Sequence, residues 1–405
     1  MSPKSSLAAD AGAGAESGWR PPRRALAALC ATEVVSWGVL YYAFPVALSA
    51  ITADTGWSAT STTAAFSAGL VVSALAGVPV GRGLDRWGPR RVMTAGSLLA
   101  VPAIVGVALA PSYWCFLAAW CVVGVAMAGV FYQAAFAALT RWYGPRRVKA
   151  LTTVTLVAGL ASTIFAPVTS LLLQHLDWRT TYVVLAGVLA VVTIPLHALA
   201  LTPPWHAVHS QDRVAPAPRR PIVRSPGFLL LSAALTLTAF GLYSASLTLI
   251  PLLTGRGLSP SLAATTFGLL GAGQLVGRIG FAPLAARTTP GARTIVIVVA
   301  SAVAIALLAA VPGPAAVLVA LAMLAGAVRG AGTLLQATVV ADRWGTANYG
   351  ALSGIFAAPV TGAAALAPWG GTALAEAIGS YPAMFAALTV VVAAAAGAAA
   401  LSDRV

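Results

Sequence analysis

Three formally charged side chains stand well inside long apolar runs of the sequence: Glu33, Arg278 and Arg329. An arginine near the centre of a bilayer costs ~2.5 to 3.5 kcal/mol on insertion scales, so each should face a partner or a wet cavity rather than lipid. Arg278 is placed about six to eight residues inside its run, ~10 Å deep at 1.5 Å per residue. Arg329 falls midway along its own run, too deep for the stem to carry the charge to the surface. Glu33, about eight residues into the first run and so at roughly the depth of Arg278, needs a cation if ionised, and these two arginines are available. One acid against two arginines leaves a surplus of positive charge in the apolar interior, which favours an anionic ligand. Burial and a neighbouring arginine act on a carboxyl proton in opposite senses, so Glu33 reads either as a proton carrier or as a fixed counter-ion. Tyr132, Gln133 and Gln274 are the first candidates for ligand contact beside the arginines. Tyr41, Tyr42, Tyr243, Asn348 and Tyr349 are further polar wall residues.

The chemistry that is absent narrows the classes. His175, His197, His206 and His209 are scattered, and Cys30, Cys115 and Cys121 lie in apolar segments without ligand spacing, so no metal site is expected. There is no Gly-Lys-Ser/Thr phosphate loop, no nucleophile elbow and no polar stretch long enough for an ATPase domain. The expectation is a protein that is not an enzyme, needs no cofactor and is driven by gradients.

The elements that must position these residues follow from composition. Of 405 residues, 59% are hydrophobic and 8% charged, against about 25% charged in soluble chains. Apolar segments fall at about 25–51, 57–81, 92–110, 113–139, 150–174, 181–201, 227–254, 259–284, 293–311, 315–341, 348–373 and 380–401. Each approaches the ~20 residues that cross a ~30 Å hydrocarbon core. The predicted fold is an all-α membrane protein of twelve transmembrane helices.

The net charge of +14 would suggest nucleic acid in a soluble protein. Here 20 of the 24 Lys and Arg sit in the tails and in alternate loops, from Lys4, Arg20, Arg23 and Arg24 through Arg213 and Arg219 to Arg404. That is the bias of membrane insertion, and it predicts both termini and the central loop on the cytoplasmic side of a plasma membrane, with no nucleic-acid partner. Residues 1–24 read as a disordered cytoplasmic tail rather than a cleaved signal. Two six-helix bundles, 25–202 and 227–405, are predicted around a linker at 203–226 containing Pro216, Pro218 and Pro221. Abundant Ala and Arg with only two lysines point to a bacterial source.

The halves look like copies offset by 200 to 202 residues: Arg141-Trp142-Tyr143-Gly144 matches Arg343-Trp344-Gly345, Ala150-Leu151 matches Ala351-Leu352, and Pro167 matches Pro368. Such parallel repeats place a site at their interface.

After the second apolar segment the chain reads Gly81-Arg82-Gly83-Leu84-Asp85-Arg86-Trp87-Gly88-Pro89-Arg90-Arg91. This resembles the loop motif of the major facilitator superfamily. The resemblance implies a cytoplasmic gate built from Gly81, Asp85, Arg86, Gly88, Arg90 and Arg91, with Asp85 facing a helix N-terminus or an arginine such as Arg141. Arg141-Trp142-Tyr143, Arg146-Arg147, Ala158-Gly159, Pro167 and Asp177-Trp178-Arg179 resemble the monocarboxylate and oxalate/formate exchanger branch, with Asp177 where that branch has glycine. Ser36-Trp37-Gly38 echoes its first-helix motif. The branch carries an arginine like Arg278 in helix 8, in some members with an aspartate where this chain has Gln274.

The resemblance implies a monomeric secondary transporter in the lipid bilayer, moving a small organic anion, a monocarboxylate first, with protons by alternating access. In it Arg278 binds the carboxylate, Arg329 and Glu33 set local charge, and Asp85 gates. A proton-driven drug or metabolite efflux antiporter is the alternative, although Ala166-Pro167-Val168-Thr169 departs from the antiporter motif of helix 5. A ligand-binding sensor is a third class, disfavoured by the lack of a large output domain.

Overall fold

The computed structural model describes residues 22–205, 220–345 and 349–404. Lys4, Arg20, His206, His209, Arg213, Arg219 and Asn348, most of the expected tail and much of the expected linker lie outside that set, as do the side chains of Pro221 and Tyr349. Among the described residues there are helices and no strands. Eleven stretches are long and apolar enough to cross a membrane, and a kink divides the longest, of 50 residues, in two. The twelve helices are α1 (Arg23–Thr55), α2 (59–87), α3 (89–108), α4 (Tyr113–Tyr143), α5 (Arg147–His175) and α6 (Trp178–Ala200). Then follow α7 (226–254), α8 (Pro260–Arg287), α9 (Pro290–Ala310), α10 (Ala315–Trp344), α11 (Tyr349–Ile378) and α12 (Tyr381–Ser402).

Local chemistry sets the boundaries. Ser58, Ser112, Asp177, Ser225, Ser259, Thr289 and Ser380 each cap a helix by accepting a backbone N–H. Proline follows directly in the first turn of α7, α8, α9 and α12, where its missing N–H is not needed. Gly56, Gly345 and Gly379 stop α1, α10 and α11 at positive φ.

The eleven residues 81–91, expected as a loop, are helical except at Gly88, which has φ 81 and ψ 164. Arg, Leu, Asp and Trp continue α2, and Pro89 opens α3, so a single residue makes the turn. A Cβ there would lie 2.9 Å from the Trp205 ring. Gly88→Ala is therefore expected to lose ~1 to 3 kcal/mol, the cost of a side chain in this backbone region. A thermal or denaturant unfolding series checks it, and wild-type stability in the variant would disprove the strain.

Because short connections alternate helix direction, one end of the bundle carries the termini and the basic segments. At the other end Asp177-Trp178-Arg179 knits three helices. Asp177 accepts from Thr180 N at 2.9 Å and Thr180 Oγ1 at 2.7 Å, which hold its carboxyl below the usual carboxylate range. Trp178 Nε1 donates to Asp54 at 2.8 Å. Arg179 pairs with Asp54 at 3.5 Å and donates to the Ala108 carbonyl at 2.8 Å. At the basic end Arg141 stacks on Trp205, just beyond α6. Arg343 donates to the Ser402 carbonyl at 2.9 Å and pairs with Asp403 at the end of α12. Arg293 also pairs with Asp342 there.

Glycines bring helices to backbone contact. On α8 and α10 the approach is reciprocal. A Cβ on Gly273 or Gly277 would meet the carbonyl of Met323 or Ala327, and one on Gly326 or Gly330 that of Leu270 or Gln274, all within 2.2 Å. Both helices carry Gly-x-x-x-Gly, the spacing that lets helices pack closely in lipid.

Candidate functional site

A cavity of about 270 Å³ lies between the first and last six helices. Trp37 and Tyr41 of α1, Ser73 of α2, Phe131, Tyr132 and Gln133 of α4, Tyr243 of α7, Gln336 of α10, and Thr361 and Ala364 of α11 line it. Three of the helices around it are irregular, α1 and α4 at residues that line it. α1 widens to a π-turn at Gly38–Tyr42, α4 breaks at Phe131 with φ −89 and ψ −178, and α7 breaks at Thr248. Such departures recur at transporter and other functional sites because they re-aim side chains and free backbone groups.

Trp37 organises this wall. Its ring stacks on Phe131 with centroids 4.0 Å apart and planes 7° from parallel, and lies 5.2 Å from Tyr132. Its Nε1 donates to Glu33 Oε2 at 3.0 Å. Glu33 is fully buried and its Oε1 has no hydrogen-bond partner. No ion pair joins Glu33 to Arg278 or Arg329 among the described residues: the tryptophan, one turn on, takes the place expected for an arginine.

Neither arginine lines the cavity directly. Arg278 reaches across from α8, donating through Nη1 to the Thr155 carbonyl of α5 and interacting with the Tyr132 hydroxyl. Its Nε is buried without a partner. Arg329 is 6% exposed, with its guanidinium 4.1 Å from the Tyr243 ring centroid. It lines a smaller adjoining cavity of about 50 Å³ that shares Tyr243, Gln336 and Val360 with the central one. The Tyr41 hydroxyl feels the Arg329 charge but forms no well-aligned hydrogen bond. The glycine contacts set both positions, since Gly277 precedes Arg278 and Gly330 follows Arg329.

Gln133 stands where the central cavity meets an opening along α2 bordered by Gly77, Gly81, Arg82 and Asp85. Gln274 is 4% exposed with its amide nitrogen unpartnered, and does not border the central cavity. The other motif residues are spread around the basic end. Arg86 lies over Trp87, Arg90 donates to the Ala198 carbonyl at 2.6 Å, and Arg91 borders a groove among α2, α3 and α4. The Asp85 carbonyl accepts from Trp205 Nε1 at 3.2 Å. Sequence reasoning missed Phe131, Gln336 and Thr361 as wall residues, and no local signal marks them.

The two sets of helices meet at the end away from the termini. Thr63 Oγ1 and Thr372 Oγ1 are 2.6 Å apart and buried. Trp369 N donates to Ser67 Oγ at 3.1 Å, and Thr60 N donates to Glu376 Oε1 at 2.9 Å. Across α5 and α8, Thr163 Oγ1 donates to the Gly268 carbonyl at 2.9 Å.

The family model described as Major Facilitator Superfamily matches residues 29–317. Monocarboxylate transporter 13 of Bos taurus is 29% identical over 250 residues, 60% of this chain and 55% of the relative. An MFS-type transporter of Gibberella moniliformis is 25% identical over 212 residues, 49% of this chain and 48% of that one. The chain thus spans about half the length of these curated relatives. Among solved structures, a bacterial homolog of the human lysosomal transporter Spinster, inward-facing and unoccupied, superposes with a TM-score of 0.71 at 17% identity. It covers 96% of this chain and 98% of that one. A mutant of the nucleoside transporter NupG gives 0.76 at 13% identity, over 95% and 100% of the two chains.

Proposed function

Since the chain belongs to the Major Facilitator Superfamily, we propose that it is a secondary active transporter moving a small organic anion, a monocarboxylate first, across the plasma membrane. The observation that carries the reading is that Arg278 and Arg329 flank the central cavity and neither forms an ion pair with an acid among the described residues. Two deep guanidinium groups without a counter-ion make the site attractive to an anion. Tyr132 and Tyr243 stand between the cavity and the arginines, so a carboxylate engages Arg278 as Tyr132 turns aside. The named likeness to a monocarboxylate transporter supports the same substrate class. Glu33, buried with one free oxygen beside the Trp37 wall, is the group in reach of the site that can carry a proton.

Transport would proceed by rocking of two six-helix bodies, 25–202 and 227–405, around this cavity in a monomer. With the basic loops cytoplasmic, the Thr63–Thr372 closure faces outward and the opening beside Asp85 faces the cytoplasm. Thr372→Val removes one hydroxyl of that closure, worth ~1 kcal/mol, and should raise the outward-open population about fivefold. Spin-label distances across the α2–α11 contact read this directly, and an unchanged distribution would contradict the closure.

The test of the reading is uptake of labelled lactate, pyruvate and oxalate into proteoliposomes with and without an imposed pH gradient. Saturable uptake that grows with the gradient supports proton-coupled anion carriage, whereas no acid uptake with robust extrusion of cationic or neutral drugs would establish the efflux alternative.

A further inference from the structure

We infer that the cavity is built for an aryl carboxylate, an acid carrying a flat aromatic ring, rather than for a two- or three-carbon acid; this rests on the anion reading above. Size is the first argument. About 270 Å³ holds roughly nine waters at ~30 Å³ each, and an acid of six heavy atoms would leave most of that space as water against walls that are mostly apolar.

Shape is the second. One wall is aromatic: Trp37, Phe131 and Tyr132, fixed by the Trp37–Phe131 stack and by the hydrogen bond from Trp37 to Glu33. The α11 part of the lining is made of smaller side chains, Thr361, Ala364 and Ala365 among them. A cavity that combines a pinned aromatic surface with small side chains accepts a ring, which gains offset or edge contacts with the indole and the tyrosine. An aliphatic acid of equal size cannot make those contacts.

Polarity is the third. The carboxylate would lie at the Tyr132 edge of the cavity, whose hydroxyl interacts with Arg278, the guanidinium that takes the anion in the reading above. The ring end therefore meets apolar surface and the charged end meets the guanidinium side.

The test is equilibrium binding to the purified full-length protein in nanodiscs, comparing phenylacetate, lactate and the uncharged phenylacetamide, with Ala364→Leu as a second protein. Phenylacetate is expected to bind at least tenfold more tightly than lactate and than phenylacetamide. Ala364→Leu takes space from the cavity that the larger ring needs, so it should weaken phenylacetate at least tenfold more than lactate. Lactate binding as well as phenylacetate, or an Ala364→Leu variant that weakens both acids alike, would overturn the aryl inference and leave the anion reading standing. Equal binding of phenylacetamide and phenylacetate would overturn the anion reading itself. No binding of any of the three to monodisperse protein at millimolar concentration would overturn both.

Discussion

Arg278→Ala is expected to abolish most substrate uptake while leaving a folded protein. Its guanidinium is tied to α5 by one backbone carbonyl, interacts with the Tyr132 hydroxyl, and keeps a buried donor unpartnered. A charge-assisted hydrogen bond from this guanidinium to the substrate carboxylate is worth ~1.5 to 3 kcal/mol, so its removal lowers uptake efficiency about 10- to 150-fold. Arg278→Lys keeps the charge and loses the planar fork, so its activity should fall between the two. Uptake rates in proteoliposomes, set beside substrate affinity in detergent, separate two roles. If Arg278 binds the anion, affinity and uptake fall together. If it only ties α8 to α5, affinity survives and the inward-to-outward balance shifts. Normal uptake by a well-folded alanine variant would remove Arg278 from the mechanism.

Gly277→Leu should cost more stability than any other single glycine substitution made to the surface of α8. Its first side-chain carbon would lie 1.7 Å from the Ala327 carbonyl oxygen, so α8 and α10 must separate along the stretch that positions both arginines. Overpacking typically costs ~1 to 3 kcal/mol and more when backbone is the obstacle. The expected result is failure to recover monodisperse protein, or a large fall in melting temperature. Gly280, one turn nearer the basic end, has nothing within 4 Å of where its Cβ would sit. Gly280→Leu is the matched control and should melt like wild type. Equal stability of the two variants would show that α8 and α10 do not approach this closely.

The helices were legible because lipid-length apolar runs are a local signal, read without knowing what packs on what. The 81–91 segment misled because its charge resembles a loop, whereas each residue but Gly88 is compatible with helix. The break in α4 was invisible: Val130, Phe131 and Tyr132 carry no local sign of it, and the Trp37 ring meets it from another helix. Depth along a helix could be counted, which placed Arg329 deep. Facing could not, so a partner for Glu33 was sought among arginines when one turn of its own helix supplied Trp37. The paired Gly-x-x-x-Gly spacings were present, but among 39 glycines the pattern gains meaning only when two helices are seen to share it.

The seam between the two sets of helices has an evolutionary corollary. At Thr155 and Gly268 the acceptors are main-chain carbonyls, each met by a side chain from the other set. A carbonyl is inherited whatever residue carries it. Drift at position 155 is therefore buffered, while position 278 is not. A saturation library selected for uptake should show that asymmetry as a broad set of survivors at one partner and a narrow one at the other.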